Sequence, residues 1–166
     1  MGIAMKLNMI AVLILVGFSF GSQPLMGYCF GAGNQKRLHE VMKFSYLFEG
    51  LLAAVITAAL SLPAPYLMRL FVRDSMLIES GSIILRLQLI SMVFISITMV
   101  STCLFQAEGR ALDAFLLSVS RQGVIFIIVI LITSHFAGYY GVLCAQPISD
   151  FLTAALAVFI YRKNPR

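Results

Sequence analysis

Between Leu7 and Phe30 the chain carries no charged side chain, and the same holds from Leu87 to Ala107. From Ala114 to Tyr161 only Arg121 and Asp150 interrupt a third such stretch. An uncharged run of about 20 apolar residues matches the hydrocarbon thickness of a bilayer, where a helix satisfies every backbone group internally. Composition agrees: 60% of the 166 residues are hydrophobic and 11% are charged, against about 45–50% and about 25% in soluble domains. So little charge cannot solvate a globular surface, which excludes a soluble enzyme and a disordered tail. The net charge of +5 comes from dispersed Lys and Arg, the pattern of membrane loops rather than of a nucleic-acid-binding patch.

The charges divide the chain into five spans, at about 7–30, 41–62, 87–107, 114–134 and 139–161. A polar loop from Gly31 to Glu40 follows the first span. Pro63 and Pro65 end the second, and Arg69, Arg73, Asp74 and Glu79 read as the next loop. Glu108 to Asp113 is a short turn, and His135-Phe-Ala-Gly-Tyr divides the last long stretch. The expected fold class is therefore all-α: a polytopic helical membrane protein with five transmembrane helices. The start resembles a signal peptide only superficially, because its apolar character continues to Phe30.

Lys36, Arg37, Lys43, Arg110, Arg162, Lys163 and Arg166 fall on one side of the membrane, and Lys6, Arg69 and Arg73 on the other. The richer side is expected to be cytoplasmic. That places the C-terminus inside and the N-terminus outside, an arrangement natural for a fragment preceded by an odd number of spans.

The first span holds two small-xxx-small patterns, Gly17 to Gly21 and Gly27 to Gly31, with Gln23 and Pro24 between them. Glycines four apart allow close helix approach, and an internal Pro predicts a kink. Charges inside a membrane are costly and mark candidate sites. Asp150 lies midway along the fifth span, and a hairpin turning near residues 136–137 brings Arg121 and Gln122 to its depth, so an Arg121–Asp150 ion pair or water-bridged contact is expected. Glu49, roughly two turns into its span, is placed to serve a proton-coupled carrier; it is also placed to snorkel or accept a hydrogen bond at the cytoplasmic edge. Gln88, Gln106, Gln122 and Gln146 offer a neutral polar lining, and Met92, Met99 and Phe94 adaptable apolar contacts. Ordinary helix packing accounts for any one of these residues equally well.

Enzyme chemistry finds no support. His39 and His135 fall on opposite sides, Cys29, Cys103 and Cys144 are far apart, and no nucleophile–base pair or phosphate loop occurs. No metal site and no bound cofactor are expected.

The stretch Gly21-Ser-Gln-Pro-Leu-Met-Gly-Tyr-Cys-Phe-Gly-Ala-Gly-Asn34, with Lys36-Arg-Leu-His-Glu40, resembles the eighth helix and following loop of the multidrug and toxic compound extrusion (MATE) family. Phe105-Gln-Ala-Glu-Gly-Arg110 resembles the exit of that family's tenth helix, Leu117-Ser-Val-Ser-Arg-Gln122 the start of the eleventh, and Gly141-Val-Leu-Cys-Ala-Gln-Pro-Ile-Ser-Asp150 the twelfth. Cys29-Phe30 departs from a commoner Asn-Tyr. The resemblance implies helices eight to twelve, an incomplete C-terminal lobe of a twelve-helix transporter. It also implies exchange of H⁺ or Na⁺ for small organic, cationic, drug-like compounds across the plasma membrane. The partners implied are the lipid bilayer and the seven preceding spans. Some branches of the family carry a carboxylate in the tenth helix; Leu87 to Ala107 has none. A non-transporting membrane subunit and an inactive truncated remnant are the alternatives.

Overall fold

The computed structural model describes residues 2–69 and 75–163. Its elements are α1 (Gly2–Gly31), α2 (Gln35–Ser61), α3 (Ala64–Arg69), α4 (Ser75–Ile90), α5 (Met92–Ala107), α6 (Ala111–Val119), a π-helical turn (Ser120–Val124) and α7 (Ile125–Lys163). Among the described residues, five stretches are long and apolar enough to cross a membrane: Met5–Gly31, Gln35–Ser61, Gly81–Ala107, Ala111–His135 and Gly141–Lys163. All five expected spans are present, and two begin well before their expected starts. The second starts at Gln35 because Asn34 caps it, its Oδ1 accepting the Arg37 N–H at 3.1 Å. Gln35 to Glu40 is thus helix rather than loop. Glu79 likewise belongs to α4 and not to a loop, while Arg73, Asp74 and Arg166 lie outside the described residues.

Two hairpin turns on one face of the bundle are built the same way. After α1, Asn34 N–H returns to Cys29 O and Gly33 N–H to Phe30 O, with Gly33 at φ 68°. After α5, Arg110 N–H returns to Phe105 O and Gly109 N–H to Gln106 O, with Gly109 at φ 73°. Both are Schellman endings, in which glycine takes the left-handed position at no steric cost. The opposite face carries a different turn. α7 is two antiparallel helices meeting at Gly138 (φ 53°, ψ −126°). A side chain on Gly141 would collide with the Thr133 backbone, so glycine there lets the two halves close.

The Gly81–Ala107 span is central, with more than half of its most apolar stretch buried. Leu85, Leu89 and Met92 join Ala11, Leu15, Ala53 and Leu143 in one apolar cluster. Val100 and Leu104 join Met26, Cys29, Leu38 and Met42 in a second, nearer the hairpin turns. Outward faces are apolar as well: Leu13, Leu47, Leu51, Phe115, Leu131 and Phe159 are all exposed. A soluble protein would not leave such continuous apolar faces to water, whereas lipid accepts them.

Candidate functional site

Among the described residues, the buried charged side chains fall in two nodes. The first joins α1 to α2. Ser19 lies about 18 Å back from Gly31 and Glu49 about 21 Å on from Gln35, at 1.5 Å per residue, so the hairpin brings them to one depth. The Ser19 hydroxyl stands 2.6 Å from Glu49 Oε1 and 2.7 Å from Oε2. Both residues are 0% exposed. Glu49 therefore does not snorkel to the membrane edge; a short serine holds it in the interior.

The second node joins three spans. Arg121 Nε lies 3.4 Å from Asp150 Oδ1, as the hairpin arithmetic predicts, with Arg121 8% and Asp150 1% exposed. The other carboxylate oxygen accepts from Gln146 Nε2 at 3.4 Å, one helical turn away. Ser149 donates to the Arg121 carbonyl at 3.3 Å. Ser91 also contacts Asp150, from the break between α4 and α5. Each contributing span is irregular here. The third breaks at Ser91, whose hydroxyl turns back to Gln88 O at 2.8 Å. The fourth has its π turn, where Ile125 N–H reaches back to Ser120 O, and the fifth contains Pro147. Such irregularities displace backbone groups from the regular ladder and collect at functional positions.

The remaining predicted residues separate. Gln23 Nε2 donates to Gln106 Oε1 at 3.1 Å, linking α1 to the end of α5. Pro24 sits inside α1, which continues across it to Gly31. Gln88 is buried, and its Oε1 has no hydrogen-bond partner among the described residues. Gln122 is exposed and joins neither node. Met92 is core, and Phe94 packs edge-on against Phe151 at 5.2 Å. The hydroxyls of Thr98, Ser101 and Thr102 donate to carbonyls of their own helix, which removes them as free lining groups.

The four glycines of the first span have no close neighbour within this chain. A Cβ on Gly17, Gly21, Gly27 or Gly31 would meet nothing within 4 Å, so none of them seats another helix of this chain. The reason is angular: α1 turns Ala11, Leu15, Ser19, Met26 and Cys29 inward, and the four glycines fall off that stripe. Among the described residues, no group of three His, Cys, Asp or Glu is placed to hold a metal ion. Ser19, Ser91 and Ser149 carry no motif that marks them as partners of the buried charges. Their only sequence signal is position, since each sits at the depth of a charge on a neighbouring helix.

Five membrane-length helices with apolar outer faces and interior polar nodes define a polytopic helical membrane protein. The chain belongs to the MatE family, whose model matches residues 1–132. It is 29% identical to the multidrug export protein MepA of Staphylococcus aureus over 159 residues, which are 96% of this chain and 35% of that protein. It therefore spans only 35% of the length of this curated relative, and the stretch corresponds to the C-terminal part of a MATE transporter. Among solved structures it resembles the MATE multidrug transporter DinF-BH, with a TM-score of 0.88, 29% identity and coverage of 98% of this chain and 36% of that one. It also shares the fold of an outward-facing MATE family transporter of the MOP superfamily, with a TM-score of 0.89, 18% identity and coverage of 98% and 37%.

Proposed function

We propose that this chain supplies spans eight to twelve of a secondary multidrug antiporter that exchanges H⁺ or Na⁺ for small organic cations across the plasma membrane. The observation carrying this reading is likeness along 96% of the chain to a multidrug export protein. The two nodes then have different duties. Asp150 is matched by Arg121 and locks three irregular helices at one depth. A buried ion pair of this kind fixes register more than it adds stability. Glu49 faces Ser19 and enters no ion pair among the described residues, so it is the carboxylate of this lobe available to exchange a coupling cation. Gln23 with Gln106 ties the first span to the central one.

The test uses inverted vesicles containing this chain together with the N-terminal spans of a MepA-type relative. Dye uptake driven by an imposed H⁺ or Na⁺ gradient, and lost when that gradient collapses, is the expected result. Uptake that needs ATP and ignores both gradients contradicts antiport. Assembly of the two parts without any uptake supports the non-transporting subunit instead.

A further inference from the structure

We propose that the groove between α2, α5 and the second half of α7 binds one anionic phospholipid. The groove has a volume of about 600 Å³ and is lined by Leu47, Gly50, Val93, Ile97 and Val158, with Lys43 and Tyr161 toward the face of the hairpin turns. Its walls are apolar and open to the outside of the bundle, since Leu47, Val93 and Val158 are all exposed. That is the setting of an acyl chain.

The end of the groove nearest the turns is different. Lys43 is exposed and forms no ion pair among the described residues. Tyr46 spends its hydroxyl on Ser101 at 2.8 Å. The Tyr161 hydroxyl forms no hydrogen bond among the described residues. Two uncommitted donors therefore flank the entrance to an apolar slot. Arg162 and Lys163 extend positive charge beyond them. Glu108, the acid nearest in charge to Tyr161, shares Arg110 with Asp113, at 3.5 Å and 2.7 Å, so the cations that face the entrance are Lys43, Arg162 and Lys163. A phosphodiester at this level meets a cation and a phenol while its chain enters the slot, as expected of basic recesses between membrane helices. The groove between α1 and α2 makes the contrast: Arg37 and Glu40 both line it, so its charges balance and it selects no anion.

Native mass spectrometry of the 166-residue chain in mild detergent tests this, with phosphatidylglycerol or phosphatidylcholine of matched chains added separately. Phosphatidylglycerol is expected to be retained preferentially. Lys43→Gln should weaken its retention about fivefold, one cation near a membrane surface being worth about 1 kcal/mol, and leave phosphatidylcholine unchanged. Gly50→Leu should displace both lipids by filling the slot without altering charge; a Cβ there meets nothing within 4 Å, so the helix accepts it. Val93→Trp fills the same slot from α5 as an independent check. Equal retention of the two lipids, or no effect of Lys43→Gln, overturns the proposal. So does displacement of phosphatidylglycerol by equimolar inorganic phosphate, or loss of a dimer in place of a lipid on Gly50→Leu.

Discussion

Arg121 Nε lies 3.4 Å from Asp150 Oδ1, and this contact ties the π-helical turn of the fourth span to the middle of the fifth. Neither charge reaches the surface, so each depends on the other for compensation. Gln146 and Ser149 hold the pair in place from the same helix.

Asp150→Asn should therefore strand Arg121 and destabilise the bundle by about 3–5 kcal/mol. Replacing both partners with apolar side chains, Arg121→Met with Asp150→Leu, should recover most of that loss, because no unpaired charge is left. Thermal unfolding in detergent measures both. A double variant as unstable as the single one would remove the pair's charge balance as the cause.

At the first node, Ser19→Ala leaves the Glu49 carboxylate without its hydroxyl partner and should cost about 1–3 kcal/mol. Glu49→Gln should cost less, since the amide still hydrogen-bonds Ser19 and carries no charge to bury. Denaturant titration followed by helical circular dichroism ranks the two. A neutral Ser19→Ala would contradict the assigned contact.

Glycines should divide sharply by position. Gly141→Ala forces a Cβ into the Thr133 backbone, and Gly138→Ala places a side chain at φ 53°, a cost of about 1–3 kcal/mol. Gly17→Ala and Gly21→Ala meet empty space and should leave the folded yield of this chain unchanged. Size-exclusion profiles of the four variants separate the groups.

Asn34→Ala removes the side-chain cap of α2 and should cost about 0.5–2 kcal/mol. Amide hydrogen exchange localises the effect: the first turn after Asn34 should exchange faster, and the rest of α2 should not. Uniform acceleration along α2 would point to a wider role for Asn34.

Much of this architecture was legible in the charge spacing. Five spans follow from where Lys, Arg, Asp and Glu are absent, and the Arg121–Asp150 pair follows from counting both ways from the hairpin. What stayed hidden depends on helix rotation. The apolar outer faces and apolar core of a membrane helix look alike in sequence, so nothing marked Gly17 and Gly21 as facing away from the bundle. The same ambiguity concealed Ser19, which reads as one small residue among many until its angle toward α2 is known. The π turn at Ser120–Val124 also left no compositional trace. It shows only as a shift in hydrogen-bond register, with Ile125 N–H reaching back to Ser120 O.

Whether these five spans form a working part of a drug transporter is tested most directly by co-expressing the chain with the N-terminal spans of a MepA-type relative. The measurement is efflux of a cationic dye from intact cells. The expected result is efflux from the pair that neither part gives alone, lost with Glu49→Gln at equal membrane abundance of both parts. Both parts inserted, associated and abundant, yet no faster in efflux than cells lacking them, would contradict it.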